Sequence, residues 1–345
     1  MTNKVLTFGE ILLRLSPPNY QRFTQASSFE AIYGGAEANV AVSLANFGIE
    51  TDFLTRIPNN ALGNACINYL RQFGVNTDKI LRGGDRLGKY FFEKGASIRS
   101  GKVIYDRAHS AISTSTNEMY NWDLIFKDIS WFHWTGITPA LSESLANVCL
   151  NAIKVAKERN ITISCDLNYR NKLWNYGKTP IEVMPELIKN CNILIGSEFN
   201  IRKMLDIALS DEQLTSDRNQ TERNQKIMKK VMKKYPNLEF VGFTMRDSIS
   251  SSHNTLSGLL YDRNETYSSP TYDIDFIVDR VGGGDAFNAG LLYGLLKFKD
   301  DLQKVLDFAV AAAALKHSIE GDFNLVSKSE VEKLMKGHSS GLISR

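Results

Sequence analysis

The chain has 345 residues, of which 43% are hydrophobic, and it carries 41 lysines and arginines against 38 aspartates and glutamates. This length and composition allow a large buried core, while a net charge of only +3 gives no overall field that would favour nucleic acid or a membrane surface. The four cysteines are widely spaced, form no CxxC pair and lie near no histidine cluster, so they predict reduced thiols rather than a zinc site.

The first part of the chain alternates between predicted strands and predicted helices. KVLTFGEILLRLSP predicts a strand and a second extended run, and GGAEANVAVSLANFG predicts a turn and a helix that ends at Gly48. ETDFLTRIP then predicts a strand and NALGNACINYLRQFG a helix, an alternation typical of a parallel sheet. Because the chain starts directly with a strand pattern and has no apolar signal core, we expect a cytoplasmic protein.

Between Arg82 and Ser113 the pattern changes to alternating residues with glycine turns, which predicts antiparallel strands that form a small lid. Downstream, ISWFHWTG, ITISCDLN and NILIGSE predict buried strands, and LSESLANVCLNAIKVAKERN predicts a helix. The polar stretch from Leu205 to Tyr235 predicts an exposed loop that leads into a helix. LEFVGFTMR and SGLLYDRN predict strands, and DAFNAGLLYGLLKF and DLQKVLDFAVAAAALKHSI predict two apolar helices.

The run DRVGGGDAFNAG, Asp279 to Gly290, carries the strongest indication of chemistry. The glycines from Gly282 to Gly284 can turn their N–H groups toward one point, and a helix that begins at about Asp285 adds its amides and dipole to the same positive field. Such a point suits a phosphate, and the carboxylate of Asp285 beside it can accept a proton from an attacking hydroxyl. The alternative is a glycine turn in which Asp285 only caps the helix.

A second candidate site is YGGAEANVA, where Gly34 and Gly35 precede Glu37 and Asn39 at a predicted helix start. This arrangement suits a small polyol, and it equally suits a plain helix cap.

A third candidate site is CDLNYRNKLW, in which a predicted strand ends in Asp166, Asn168 and Arg170. Ligands of open α/β sheets gather beyond such strand ends, and an arginine there can bind a carboxylate or phosphate by a two-point contact. The alternative is an arginine stacked on Tyr169 or Trp174.

A fourth candidate lies in the predicted lid, where Tyr105 and Arg107 of KVIYDRAHSA stand two residues apart and hence on one face of a strand. That face can close over a substrate, or the arginine can be an ordinary surface residue of a hairpin.

The sequence contains no GxxxxGK[ST], HExxH or GxSxG, and its first strand is not followed by GxGxxG, so P-loop, zincin, hydrolase and dinucleotide-binding signatures are excluded.

Together, YGGAEANVAVSLANFG and DRVGGGDAFNAG resemble the two signatures of the ribokinase-like (pfkB) family of sugar kinases, in the same order and separation. GGAEANVAV, YDRAHSA, WFHWTGITPALS and DLNYRNKLW most resemble the 2-keto-3-deoxygluconate kinases of that family. The resemblance spans nearly the whole chain apart from the stretch around Leu205 to Tyr235. It implies a single three-layer α/β domain over residues 1–345, with a mostly parallel central sheet and a β-sheet lid from about 12–33 and 84–113, commonly paired with the lid of a second subunit.

The reaction that the resemblance implies is transfer of a phosphoryl group from ATP to the terminal (C6) hydroxyl of 2-keto-3-deoxy-D-gluconate, with Mg²⁺ held mainly by phosphates and waters. Asp285 would be the base, and the amides of Gly282 to Gly284 the anion hole. The implied substrate contacts are Gly34, Gly35, Ala36, Glu37, Ala38, Asn39, Tyr90, Tyr105, Arg107 and Arg170. The implied nucleotide contacts are Asn168, Ser197, Thr244 and Arg246 together with Gly282 and Gly284.

The sequence also departs from the family pattern. The usual Asn-x-x-Glu near the metal waters falls on Ser197 and Asn200, which leaves Glu198 as the neighbouring carboxylate, and TMRDSISSSHN replaces the usual glycine-rich nucleotide loop. In some members the equivalent of Asp279 binds a monovalent cation, so K⁺ is a further candidate cofactor. The alternatives are a kinase for fructose, ribose or 5-keto-2-deoxygluconate, or a non-catalytic sugar-responsive regulator.

Overall fold

The computed structural model describes residues 3–210 and 219–337. Its strands are β1 (Val5–Phe8), β2 (Leu12–Ser16), β3 (Glu30–Gly34), β4 (Thr51–Leu54), β5 (Arg56–Ile57), β6 (Leu81–Arg82), β7 (Gly88–Glu93), β8 (Lys102–Asp106), β9 (Trp131–Thr135), β10 (Thr162–Asp166), β11 (Ile193–Gly196), β12 (Phe240–Ser248), β13 (Asn254–Tyr261), β14 (Thr266–Ser268) and β15 (Tyr272–Ile274). Its α-helices are α1 (Ala36–Asn46), α2 (Ala61–Arg71), α3 (Trp122–Ile125), α4 (Glu143–Glu158), α5 (Pro180–Ile188), α6 (Glu198–Leu205), α7 (Gln220–Lys234), α8 (Gly283–Lys297), α9 (Leu302–Lys316) and α10 (Lys328–Met335).

The central sheet has nine strands in the order β14-β13-β12-β11-β10-β9-β1-β4, with β15 beside β13. The strands from β4 to β12 in this order pair in parallel, and β13 to β15 add an antiparallel edge. Because parallel strands need helical crossovers, the strand and helix alternation of the sequence translates directly into this sheet.

Helices cover both faces of the sheet and complete three layers. Successive residues of a strand point to opposite faces, so Phe132 of β9 joins a core under α4 to α7, while Trp131 joins a second core under α1, α8 and α9. All four cysteines are buried and unpaired, as expected. The predicted three-layer α/β fold with a small separate sheet is confirmed.

The separate sheet, called the lid below, has four strands in the order β3-β2-β7-β8 and covers the carboxyl end of the central sheet. The β7–β8 pair is antiparallel, which confirms the antiparallel strands predicted between Arg82 and Ser113. The β2–β3 pair is also antiparallel, whereas β2 and β7 pair in parallel. The parallel pair is possible because a long segment containing α1, β4 and α2 connects β2 to β7.

Several other elements differ from the sequence prediction. Helix α8 begins at Gly283, two residues before the expected start. Helix α5 was not predicted, because Pro180 and Pro185 interrupt its pattern, although Thr179 and Glu182 form a capping box that marks its start. The helix predicted at the end of the stretch from Leu205 to Tyr235 is confirmed as α7, and residues 211–218 of the predicted loop lie outside the described part. No helix within 3–210 and 219–337 is long and apolar enough to cross a bilayer.

Candidate active site

A cavity of about 1060 Å³ lies at the carboxyl ends of β9, β10 and β11, between the central sheet and the lid. Open α/β sheets bind their ligands at this end, and the volume is sufficient for a sugar together with a nucleotide. The structure brings most of the predicted site residues to this cavity: Gly35, Ala36, Asn39, Tyr90, Tyr105, Arg107, Asn168, Arg170, Ser197, Thr244, Arg246, Gly282, Gly283, Gly284 and Asp285.

Asp285 lies in the first turn of α8 and is only 8% exposed. Burial, together with the nearby carboxylates of Asp166 and Glu37, raises its pKa to about 7, although a hydrogen bond from Asn39 and the charge of Arg170 oppose the shift. A carboxylate with this pKa is ionised in about half of the molecules at neutral pH and can accept a proton from a hydroxyl there.

Asn39 connects the first glycine motif to Asp285. Its Oδ1 accepts a hydrogen bond from the backbone N–H of Gly35 over 3.2 Å, and its Nδ2 donates to Oδ2 of Asp285 over 2.6 Å. Gly35 is required by close approach, because a Cβ at this position would lie 2.1 Å from the carbonyl oxygen of Glu10. The motif therefore positions the side chain of Asp285, and its Gly35 is the N-cap of α1.

The glycines of the predicted anion hole lie at the start of α8, and their backbone amides are not equally free. Gly282 adopts φ 83° and precedes the helix, and a Cβ there would lie 2.0 Å from the carbonyl oxygen of Asp322. The amides of Gly284 and Asp285 have no acceptor in the described part of the chain, while Gly283 N–H has only a long contact of 3.5 Å to the carbonyl oxygen of Arg280. Because α8 starts early, the free donors are those of Gly284 and Asp285.

Three predicted substrate contacts do not line the cavity. The carboxylate of Glu37 is buried, and its Oε1 accepts hydrogen bonds from the hydroxyls of Thr135 and Thr138 over 2.6 and 2.7 Å. Ala38 packs in the core beside α2, and Gly34 lies against the carboxylate of Asp322. Strand and helix geometry turn these residues away, so Glu37 fastens α1 to the end of β9 instead of binding a ligand.

The lid contributes Tyr90, Tyr105 and Arg107 to the cavity. Tyr90 donates its hydroxyl hydrogen to Oδ2 of Asp322 over 2.6 Å, so its hydroxyl oxygen can act toward a ligand only as an acceptor. Arg107 forms a buried ion pair through Nε with Oε2 of Glu10 over 2.6 Å. This contact fixes the guanidinium plane, and no described residue bonds its two terminal nitrogens.

Arg170, Arg246 and Arg280 concentrate positive charge on the other side of the cavity. No carboxylate lies within 4.0 Å of the guanidinium groups of Arg170 and Arg246 in residues 3–210 and 219–337, and burial together with Arg280 and Arg170 lowers the pKa of Arg246. Arg170 is exposed and does not stack on a ring in the same ranges. Arg170 donates to the carbonyl oxygen of Tyr169 over 3.0 Å, and arginines without a carboxylate partner at a cavity suit an anionic ligand.

Oxygen donors suitable for Mg²⁺ lie in the same part of the cavity. Asp166 ends β10, has a pKa raised by burial and accepts a hydrogen bond from Asn288 over 2.8 Å. Glu198 and Asn200 also line the cavity at the start of α6, which Ser197 caps through Asn200 N–H. No cluster of three or more His, Cys, Asp or Glu side chains that could hold a metal ion occurs in the described residues.

A buried charge network underneath the anion hole was not predicted from the sequence. Arg14 of the lid strand β2 forms ion pairs with Asp279 over 2.7 Å and Asp322 over 2.8 Å, and its guanidinium stacks on Phe92. A charged residue at an inward position of LLRLS is the signal that would have revealed it.

His317 also lines the cavity and was missed. Its Nδ1 donates to the carbonyl of Ala313 over 2.8 Å, so Nε2 is an acceptor, and it is buried without a partner among the described residues. Burial lowers its pKa to about 4, which keeps the ring neutral at pH 7.

Comparison with known proteins connects this geometry to one family. The sequence model of the pfkB family carbohydrate kinases matches residues 2–324. The chain is similar to the 2-dehydro-3-deoxygalactonokinase of Haloferax volcanii, with 31% identity over 344 residues and 99% of both chains covered. It is 26% identical over 325 residues to the 2-dehydro-3-deoxygluconokinase of Bacillus subtilis, covering 92% of this chain and 91% of the relative. The crystal structure of the 2-dehydro-3-deoxygluconokinase of Thermotoga maritima superposes with a TM-score of 0.90 at 47% identity, covering 97% of this chain and all of that one.

Proposed function

Since the chain belongs to the pfkB family of carbohydrate kinases, we propose that it transfers the γ-phosphoryl group of ATP to the C6 hydroxyl of 2-keto-3-deoxy-D-gluconate. The observation that carries the proposal is the position of Asp285, a carboxylate with a pKa of about 7 beside the free amides that start α8. The compound is also called 2-dehydro-3-deoxygluconate, the sugar acid in the names of two similar proteins. Because ATP is supplied in the cytoplasm, we propose that the protein acts there.

In the proposed reaction Asp285 accepts the proton of the C6 hydroxyl as its oxygen attacks the γ-phosphorus. The bond between the γ-phosphorus and the bridging oxygen breaks, ADP leaves with the bonding electrons, and the sugar acid 6-phosphate forms. The amides of Gly284 and Asp285 donate to the phosphoryl oxygens as charge develops on them. The helix dipole at the same position adds to this stabilisation.

The arginines support a sugar acid as the acceptor. Arg107 is held in place by Glu10, and Arg170 lies unpaired at the cavity, so both can bind a carboxylate that a neutral hexose lacks. The similar protein of Haloferax volcanii is named for the galactonate compound, which presents the same carboxylate and terminal hydroxyl. The two compounds differ in the configuration of the carbons between these groups. The choice of the gluconate compound over the galactonate compound is therefore the more specific part of the proposal.

Mg²⁺ would be held by Asp166, Glu198 and Asn200 through waters and by the phosphates of ATP. When bound, it neutralises charge on the phosphates. Arg246 and Arg280 supply further positive charge from the protein itself.

ADP release by the purified protein tests the proposal. With ATP and Mg²⁺, we expect rapid release with 2-keto-3-deoxygluconate or 2-keto-3-deoxygalactonate and at least about 100-fold lower kcat/KM with fructose or ribose. Higher kcat/KM for fructose, ribose or 5-keto-2-deoxygluconate would replace the proposed acceptor with that sugar. ATP binding by calorimetry without any ADP release across the panel would instead support a sugar-responsive regulator.

We also propose that two copies associate through the lid. The sheet presents apolar side chains to solvent at both edges, with Phe29 beside β3 42% exposed and Ile104 of β8 53% exposed. Burial of such residues between two copies is favourable. Sedimentation velocity should give a dimer that Ile104→Lys converts to a monomer, and an unchanged sedimentation coefficient would contradict the proposal.

A further inference from the structure

Lys316, the last residue of α9, has a fully buried side chain beneath the anion hole. Its ammonium donates to the carbonyl oxygen of Ile319 over 2.9 Å and approaches the carbonyl oxygen of Asp279 at 3.5 Å. Its stem packs beside Gly282, where a Cβ would lie 3.3 Å from Cε of Lys316. No carboxylate lies within 4.0 Å of the ammonium in the described part of the chain. A lysine bound only to backbone carbonyls in the interior is unusual and requires an explanation.

Every oxygen of Asp279 already has a partner, and a bare cation would have to compete with these donors. One carboxylate oxygen accepts from Arg14 over 2.7 Å and from Gly321 N–H over 3.2 Å, and the other accepts from Val281 N–H over 3.0 Å. Its carbonyl oxygen faces the ammonium of Lys316. The residues therefore do not fit the monovalent cation that the sequence resemblance suggested at Asp279.

We propose that the ammonium of Lys316 takes the place of that monovalent cation, as a positive charge built into the chain beneath the anion hole. It links the loop that carries Asp279 to the loop after α9, and thereby holds the turn at Gly282 from which α8 starts. Lys316 acts as a positioning residue, because it contacts backbone groups rather than substrate. The kinase should consequently not depend on K⁺.

The surrounding charges agree with this arrangement. Arg14 and Lys316 supply two positive charges, and Asp279 and Asp322 supply two negative ones, so the buried network is balanced when Lys316 is protonated. Burial lowers the pKa of Lys316 to about 8, and Asp279 and Asp322 oppose the shift. The ammonium form therefore predominates at pH 7.

The wild-type protein gives the first test. Turnover depends on the proposed kinase function, so the melting temperature is measured beside it. At equal ionic strength, exchanging KCl for tetramethylammonium chloride should change kcat by less than about twofold and leave the melting temperature without a K⁺-specific shift. A tenfold loss without K⁺, or a K⁺-specific rise in melting temperature, would overturn the inference. If the protein phosphorylates no sugar acid, the comparison of melting temperatures with and without K⁺ still tests the inference about Lys316.

Substitutions give the second test. In tetramethylammonium chloride, Lys316→Ala should lower kcat at least about tenfold, and K⁺ should partly restore kcat and raise the melting temperature of this variant. Lys316→Met fills the space without charge, so it should show the same loss without rescue. The exposed Lys229→Ala is the matched control. The proposal would be contradicted if Lys316→Met kept the wild-type kcat, or if Lys316→Ala showed no response to K⁺. If neither variant folds, the comparison of salts on the wild-type protein is decisive.

Discussion

The side-chain amide of Asn39 donates a hydrogen bond to Oδ2 of Asp285 over 2.6 Å, although the two residues are 246 positions apart in the chain. The bond favours the ionised form of a carboxylate that burial disfavours. Asn39 itself is oriented by the N–H of Gly35. The glycine motif near the start of the chain thus adjusts the pKa of the proposed base near its end.

Replacing Asn39 by Ala should move the pH dependence of the reaction. Without this donor the pKa of Asp285 rises above about 7, so a smaller fraction is ionised at pH 7 and kcat falls roughly tenfold. The acid limb of the kcat profile should shift to higher pH, and activity should recover at pH 8.5. A uniform loss at every pH would instead indicate that Asn39 binds substrate directly.

Asp285→Asn should abolish turnover while making the protein more stable. Loss of a general base lowers kcat by about 10²–10⁴-fold, whereas binding of the sugar acid measured by calorimetry should change little. The pKa of Asp285 rises from 3.8 to about 7 on folding, so its ionisation opposes folding increasingly as the pH rises through this range. The stability advantage of the variant should therefore grow by about 1 kcal/mol between pH 6 and pH 8.

The exposed Asp128→Asn serves as the control for this substitution. It should leave both kcat and the free energy of unfolding unchanged within about 0.5 kcal/mol. Turnover of Asp285→Asn within tenfold of wild type would rule out the role of Asp285 as base.

The pH profile of the wild-type protein gives an independent check. If ionised Asp285 accepts the proton, kcat/KM should fall tenfold for each pH unit below an apparent pKa near 7 and level off above it. His317 and His133 should not contribute, because burial lowers their pKa values to about 4 and about 3. A profile that is flat between pH 6 and pH 8 would contradict this assignment.

Arg170→Gln should raise KM for the sugar acid by about 10–100-fold, since a charge-assisted hydrogen bond is lost. The activity with a neutral sugar, where detectable, should not change, so the ratio of the two kcat/KM values measures recognition of the carboxylate. Arg159→Gln at the distant end of α4 is a suitable control. A rise in KM for ATP alone would assign Arg170 to the nucleotide.

Alanine at Gly282 should destabilise the fold, whereas alanine at Gly284 should not. A Cβ on Gly284 meets no protein atom within 4 Å, so Gly284→Ala should fold normally, while its methyl group enters the phosphoryl position and lowers kcat at least about 100-fold. Gly282→Ala combines a left-handed backbone with a contact of 2.0 Å to Asp322, and it should lower the melting temperature as well. Thermal unfolding and ADP release together distinguish the two outcomes.

The sequence predicts the fold and most of the cavity because the signals are local. The alternation of strands and helices determines the parallel sheet, and strand ends bring Asp166 and Asn168 to its carboxyl edge. The glycine run predicted the helix start beside Asp285, and the structure begins α8 at Gly283, two residues earlier than expected.

The remaining contacts depend on pairings between distant segments, which local patterns do not encode. The ion pairs of Arg14 with Asp279 and Asp322 join residues 265 and 308 positions apart, and the bond from Tyr90 to Asp322 spans 232 positions. The side chain of Glu37 turns to Thr135 because of how α1 packs on β9, a tertiary detail that its position beside the glycines does not reveal.

The joining of the two ends of the chain also has a consequence during synthesis. A ribosome adds roughly 5–20 residues per second, so on the order of 10–50 s separate the appearance of Asn39 from that of Asp285. For nearly all of that interval neither acidic partner of Arg14 has been synthesised, and the proposed base and the free amides that start α8 do not yet exist. The nascent chain therefore cannot transfer phosphoryl groups, and catalytic competence arrives late, when the segment from Asp279 to Asp322 folds against the first strands.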